Sequence, residues 1–148
     1  MKKSKAITIV ELIVVIGLIS IITVISFVSF SPLKNSMDLN GQKKNIITDL
    51  RQAQSNATTD QFRHLIRFSP PINPTDYSLI RINEDLSETV IWTKNLPPNL
   101  TATITAPNSE FIFSADGSVI HSGEIELKTN LGKTKKIIIN PIGNIKEQ

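Results

Sequence analysis

The stretch KAITIVELIVVIGLISIITVISFVSF, residues 5–30, decides how the rest of the chain is read. From Leu12 to Phe30 it carries 19 residues without a charge, interrupted only by Gly17, Ser20, Thr23, Ser26 and Ser29. At about 1.5 Å per residue, a helix over this run matches the roughly 30 Å hydrocarbon core of a bilayer. Immediately before it stands a single acid, Glu11. A charge at membrane depth costs about 2.5 to 3.5 kcal/mol, so an acid there implies a function and a partner. Lys2, Lys3 and Lys5 precede the run and the next basic residue is Lys34, which places the short N-terminus in the cytoplasm and the remainder across the membrane. A cleaved secretory signal fits less well: its apolar region is about 7 to 15 residues long and uncharged, although Ser29-Phe30-Ser31 loosely matches a small-x-small cleavage site.

The 148 residues leave room for this segment and one domain of ordinary size. The chain has no cysteine, which excludes disulfides, thiolate catalysis and cysteine zinc sites. The net charge of +3 rests on the three leading lysines; without them basic and acidic residues balance at 13 each. A pI of about 9.3 is therefore weak evidence for a nucleic-acid partner.

After Pro32 a helical period sets in. Met37, Leu39, Ile46, Leu50, Ala53 and Ala57 form an apolar stripe, with Lys43, Lys44, Asp49, Arg51 and Gln52 off it. Asn40-Gly41 is a candidate bend, because glycine weakens a helix interior. If the two helical segments are nearly continuous, Ile7 to about Thr58 forms a spine of roughly 78 Å. From Gln61 onward the period changes. Short β-branched and aromatic runs (Phe62 to Phe68, Tyr77 to Ile82, Thr89 to Thr93, Leu100 to Thr105, Glu110 to Ser114, Glu124 to Lys128, Lys135 to Asn140) alternate with Pro, Gly and Asp turn signals, the pattern of antiparallel hairpins. The helical stripe is the natural cover for one face of these strands.

The residues do not assemble a catalytic motif. His64 and His121 belong to no metal-spaced cluster, Asp116-Gly117 is the ordinary choice for a tight hairpin, and no serine elbow or glycine-rich phosphate loop occurs. No cofactor is expected, and the chain reads as a non-enzyme.

Lys2-Lys3-Ser4-Lys5-Ala6 followed by Ile7-Thr8-Ile9-Val10-Glu11-Leu12-Ile13-Val14-Val15 resembles the leader and assembly segment of type IV pilins and type II secretion pseudopilins. In that family a prepilin peptidase cuts after a short basic leader and methylates the new N-terminus, leaving glutamate fifth in the mature chain. The resemblance implies cleavage between Ala6 and Ile7, N-methylation of Ile7, and Glu11 as the assembly residue, paired with the N-terminal amine of a neighbouring subunit. Alanine and isoleucine stand here where the family usually has glycine and phenylalanine, and the first proline is Pro32. The stretches Asp49 to Ala57, Phe111 to Gly117 and Ile137 to Ile145 are similar to the GspH/FimT-type minor pilins and pseudopilins.

The resemblance implies an α+β, pilin-like fold: a leader (1–6), a transmembrane and assembly helix (7–30), an amphipathic helix continuing the spine (31–60) and an antiparallel β domain (61–148). It implies a structural subunit of the bacterial inner membrane, with its C-terminal domain outside the cytoplasm, that helps initiate or cap a type IV pilus or type II secretion filament. Its partners would be other pilin subunits, the prepilin peptidase and the membrane. Some relatives take up DNA through basic residues near the C-terminus, and Lys128, Lys133, Lys135, Lys136 and Lys146 are the candidates for that contact. A solvated hairpin edge protected by lysines explains the same residues more simply.

Overall fold

The computed structural model describes the backbone of residues 8–148 and the side chains of residues 8–24 and 33–148. Among the described residues, one α-helix, α1 (Ile9–Asp60), is followed by eight strands: β1 (Arg63–Ser69), β2 (Asp76–Ile82), β3 (Glu88–Asn95), β4 (Leu100–Ile104), β5 (Glu110–Phe113), β6 (Gly123–Thr129), β7 (Thr134–Ile139) and β8 (Ile145–Glu147), with a short 3-10 turn (Pro107–Ser109) between β4 and β5. The architecture is α+β, as expected. The chain divides into two compact units, Met1–Lys34 and Asn35–Gln148. Among the described residues no helix is long and apolar enough to cross a membrane. The apolar run continues through residues 25–30, whose side chains are not among those described.

In the second unit the strands form two antiparallel sheets, ordered β3-β2-β1-β5 and β4-β6-β7-β8. Both contribute to one core with α1. Leu39, Ile46, Leu50, Ala53 and Ala57 from the helix, Ile66, Phe68, Tyr77, Leu79, Phe111 and Phe113 from the first sheet, and Ala102, Ile125, Leu127, Ile137 and Ile139 from the second are all buried together. The alternation of the strand sequences selects these inward positions.

Three helical positions depart from the sequence reading. Met37 is 65% exposed rather than part of the buried stripe. Gly41 does not bend or melt the helix: α1 runs through it, with open space where a Cβ would lie. Asp49, read as solvent-facing, is only 4% exposed. Its carboxylate accepts hydrogen bonds from Tyr77 Oη (2.8 Å) and from Lys94 Nζ (2.7 and 2.9 Å). Lys94 Nζ also lies 4.5 Å from the centroid of the Trp92 ring. This contact ties the helix to the first sheet and satisfies a charge that would otherwise be costly to bury.

A second tie is made by Gln54. Its Nε2 donates to Gly117 O (2.7 Å), in the turn after β5, and to Gly143 O (3.1 Å), in the β7–β8 turn. Gly143 has φ +85°, and a Cβ there would overlap Gly117 O and Gln54 Nε2, so glycine is required on both counts. The Val119 N–H also donates to Pro141 O (2.9 Å), joining the same two turns.

On the face of the first sheet turned away from the core, Leu65 and Ile80 are paired in register and buried. Arg67, on that face, binds both carboxylate oxygens of Glu88 (2.6 and 2.7 Å) and donates through Nε to Glu110 (2.6 Å). Hydrogen bonding to Arg67 holds the Glu88 carboxyl below the usual range. The edge strand β3 carries an extra residue, Ile91, because Leu79 faces Trp92 while Ile80 faces Val90. Such a bulge distorts an edge that would otherwise accept another strand.

Candidate functional site

Two surfaces hold the residues singled out by the sequence. The first is the start of α1. Ala6 and Ile7, the expected cleavage pair, lie outside the described residues. Thr8 opens the helix: the Glu11 N–H donates to Thr8 Oγ1 (3.2 Å) and the Leu12 N–H to Thr8 O (3.2 Å). Thr8 and Glu11 thus stand at the N-cap and N3 positions of a capping-box sequence, a signal that was present in Thr8-x-x-Glu11 but overlooked. A carboxylate in the first turn is also favoured by the helix dipole. The fold therefore has a local use for Glu11 besides any intermolecular one.

Beyond Glu11, the side chains through Val24 are exposed all round the helix, from Leu12 at 54% to Val24 at 67%. Its two hydroxyls are satisfied internally. Ser20 Oγ donates to Ile16 O (2.8 Å) and Thr23 Oγ1 to Ile19 O (2.7 Å). Self-satisfied polar groups on an otherwise apolar cylinder suit an apolar medium or a packed helical bundle.

The second surface is the β6–β7–β8 region. The five candidate lysines do not form one patch. In register, Lys128 faces Thr134, Glu126 faces Lys136 and Ile138 faces Lys146, which puts Lys128, Lys136 and Lys146 on the outer face together with Glu124 and Glu126. Lys136 Nζ lies 3.5 Å from Glu124 and 3.6 Å from Glu126. Lys135 points to the opposite face, and Lys133 Nζ donates to Ser36 Oγ on α1 (2.7 Å). Nearby, Lys43 Nζ binds Glu147 (2.6 Å); that hydrogen bond, with the fields of Lys43, Lys135 and Lys44, keeps the Glu147 carboxyl low. Alternating signs across the outer face offer poor complementarity to a run of phosphates.

Among the described residues, no three His, Cys, Asp or Glu side chains converge. His64 is fully buried, with Nδ1 3.2 Å from Phe62 O and Nε2 3.7 Å from Asp60, and it is a packing residue. Asp116 accepts from the Ser118 hydroxyl (2.7 Å) and N–H (3.0 Å), closing the turn that follows β5.

No protein-family model matches the sequence, and no curated protein matches it. The fold is nevertheless shared with solved structures. The type IV minor pilin FimU of Pseudomonas aeruginosa superposes with a TM-score of 0.65 at 17% identity, over 79% of this chain and 92% of that one. The minor pseudopilin EpsH from the type 2 secretion system of Vibrio cholerae gives a TM-score of 0.63 at 8% identity, over 75% and 96% respectively. The chain therefore has the fold of minor pilins and pseudopilins.

Proposed function

We propose that this chain is a minor pilin or pseudopilin, a non-catalytic subunit that helps initiate or cap a type IV pilus or type II secretion filament. The observation that carries this reading is the union, in one chain, of the minor-pilin fold with an exposed apolar helix bearing a single acid, Glu11, behind a basic leader. The leader is removed between Ala6 and Ile7, Ile7 is methylated, and the run from Leu12 to Phe30 holds the subunit in the inner membrane before assembly. In the filament the apolar helices pack together, and Glu11 meets the N-terminal amine of a neighbour. Pairing removes most of the cost of burying either charge.

Intact mass and N-terminal sequencing of the protein, purified from membranes of hosts with and without an active prepilin peptidase, test this reading. A methylated Ile7 terminus appearing only with the peptidase is expected. An intact Met1 terminus in both hosts would remove the filament-subunit reading. DNA uptake is disfavoured by Glu124 and Glu126 among the outer-face lysines.

A further inference from the structure

We propose that the tip of the β6–β7 hairpin, Lys128 to Lys135, rests on the phospholipid headgroups of the membrane that receives the apolar helix. This inference depends on the membrane insertion proposed above. The tip has the chemistry of an interfacial contact. Leu131 is 57% exposed at its apex, Lys128 and Lys133 are exposed on either side, Lys135 is half-buried, and no acid occurs between Lys128 and Glu147. An apolar side chain flanked by cations suits the boundary between acyl chains and anionic headgroups.

Position supplies the second argument. The tip sits where the chain enters the second unit: Lys133 Nζ donates to Ser36, the Asn130 N–H donates to Asn99 O (3.3 Å), and Asn99 Nδ2 donates to Asn35 Oδ1 (3.0 Å) and Asp38 Oδ2 (2.9 Å). The last contact engages the nearest helical acid. Asn35 follows Phe30, the end of the apolar run, by only five positions in the sequence.

Because the chain has no cysteine, a single introduced thiol carries a label at one known place. The full chain is reconstituted in bilayer discs containing phosphatidylglycerol, with a fluorophore at Leu131→Cys, at Ile142→Cys or at Ser20→Cys. Ile142 is an equally apolar control, 81% exposed in the β7–β8 turn that Gln54 holds further along α1. Headgroup-nitroxide lipids are expected to quench the label at 131 and spare that at 142. Changing Lys128 or Lys133 to Gln in the Leu131→Cys chain should lower the docked-to-undocked ratio about fivefold per lysine. Equal quenching at 131 and 142, while acyl-chain nitroxides quench the label at 20, would overturn the docking alone. A label at 20 that acyl-chain nitroxides leave unquenched would overturn membrane insertion and docking together. A label at 131 that responds to added duplex DNA but not to lipid would assign the lysines to nucleic acid instead.

Discussion

At position 49 a carboxylate among apolar neighbours is held by a phenol and an ammonium, and both partners matter to its cost. Asp49→Ala leaves Tyr77 Oη and Lys94 without their acceptor, and a loss of about 2 to 3 kcal/mol is expected. Asp49→Asn, which keeps an acceptor for Tyr77, should lose less. Urea unfolding followed by the fluorescence of Trp92, the single tryptophan, measures both. Burial, together with the hydrogen bond to Asp49, raises the Tyr77 phenol well above its ordinary pKa. The unfolded chain releases that proton near pH 10 whereas the folded one keeps it, so stability falls as pH rises above about 10. Repeating the titration with Tyr77→Phe should flatten that alkaline decline. None of this was legible in the sequence, where Asp49 sits one residue from the apolar stripe and resembles any solvent-facing helical acid. Only the register of β2 and β3 reveals its partners.

The elements themselves were more legible. Helical spacing identified Leu39, Ile46, Leu50, Ala53 and Ala57 correctly, because a stripe that covers two sheets must repeat with the helix. Runs of β-branched and aromatic residues likewise located β1 to β7, with Thr89 to Thr93 marking β3 although that edge strand is bulged at Ile91 and exposed over most of its length. They missed β8, whose three residues are too short to show a period. Glycine was the other source of error, since a helix breaker by propensity can persist where tertiary packing on either side holds the helix. Gly41 occupies an exposed helical position with open space around it. Gly41→Ala should therefore raise stability by about 0.5 to 1 kcal/mol. A decrease in the urea midpoint would show that Gly41 serves a bend in solution.

For the molecule as a whole, the sequence announced two regions of different character, and it offered five C-terminal lysines either as DNA contacts or, more simply, as a solvated hairpin edge. Strand pleating favours the second, because neighbours in sequence point to opposite faces and Lys135 and Lys136 part company. The assembly role proposed for the first region rests on Glu11. Glu11→Ala should leave membrane insertion and the fold of residues 35–148 intact while abolishing incorporation into filaments, as read by immunoblotting of sheared filament fractions. Glu11→Gln, which keeps the side-chain length but no charge, should fail in the same way. Normal incorporation of both variants would reduce Glu11 to its place in the first helical turn.

Gln54 has a consequence for how the second unit comes apart. One amide grips a turn belonging to each sheet, so neither sheet can leave the helix without releasing a carbonyl that the other sheet's turn helps to position. Partial opening thereby weakens contacts on both sides at once, so an intermediate with a single detached sheet forfeits part of the stability of the half that remains. The unit is built to unfold cooperatively.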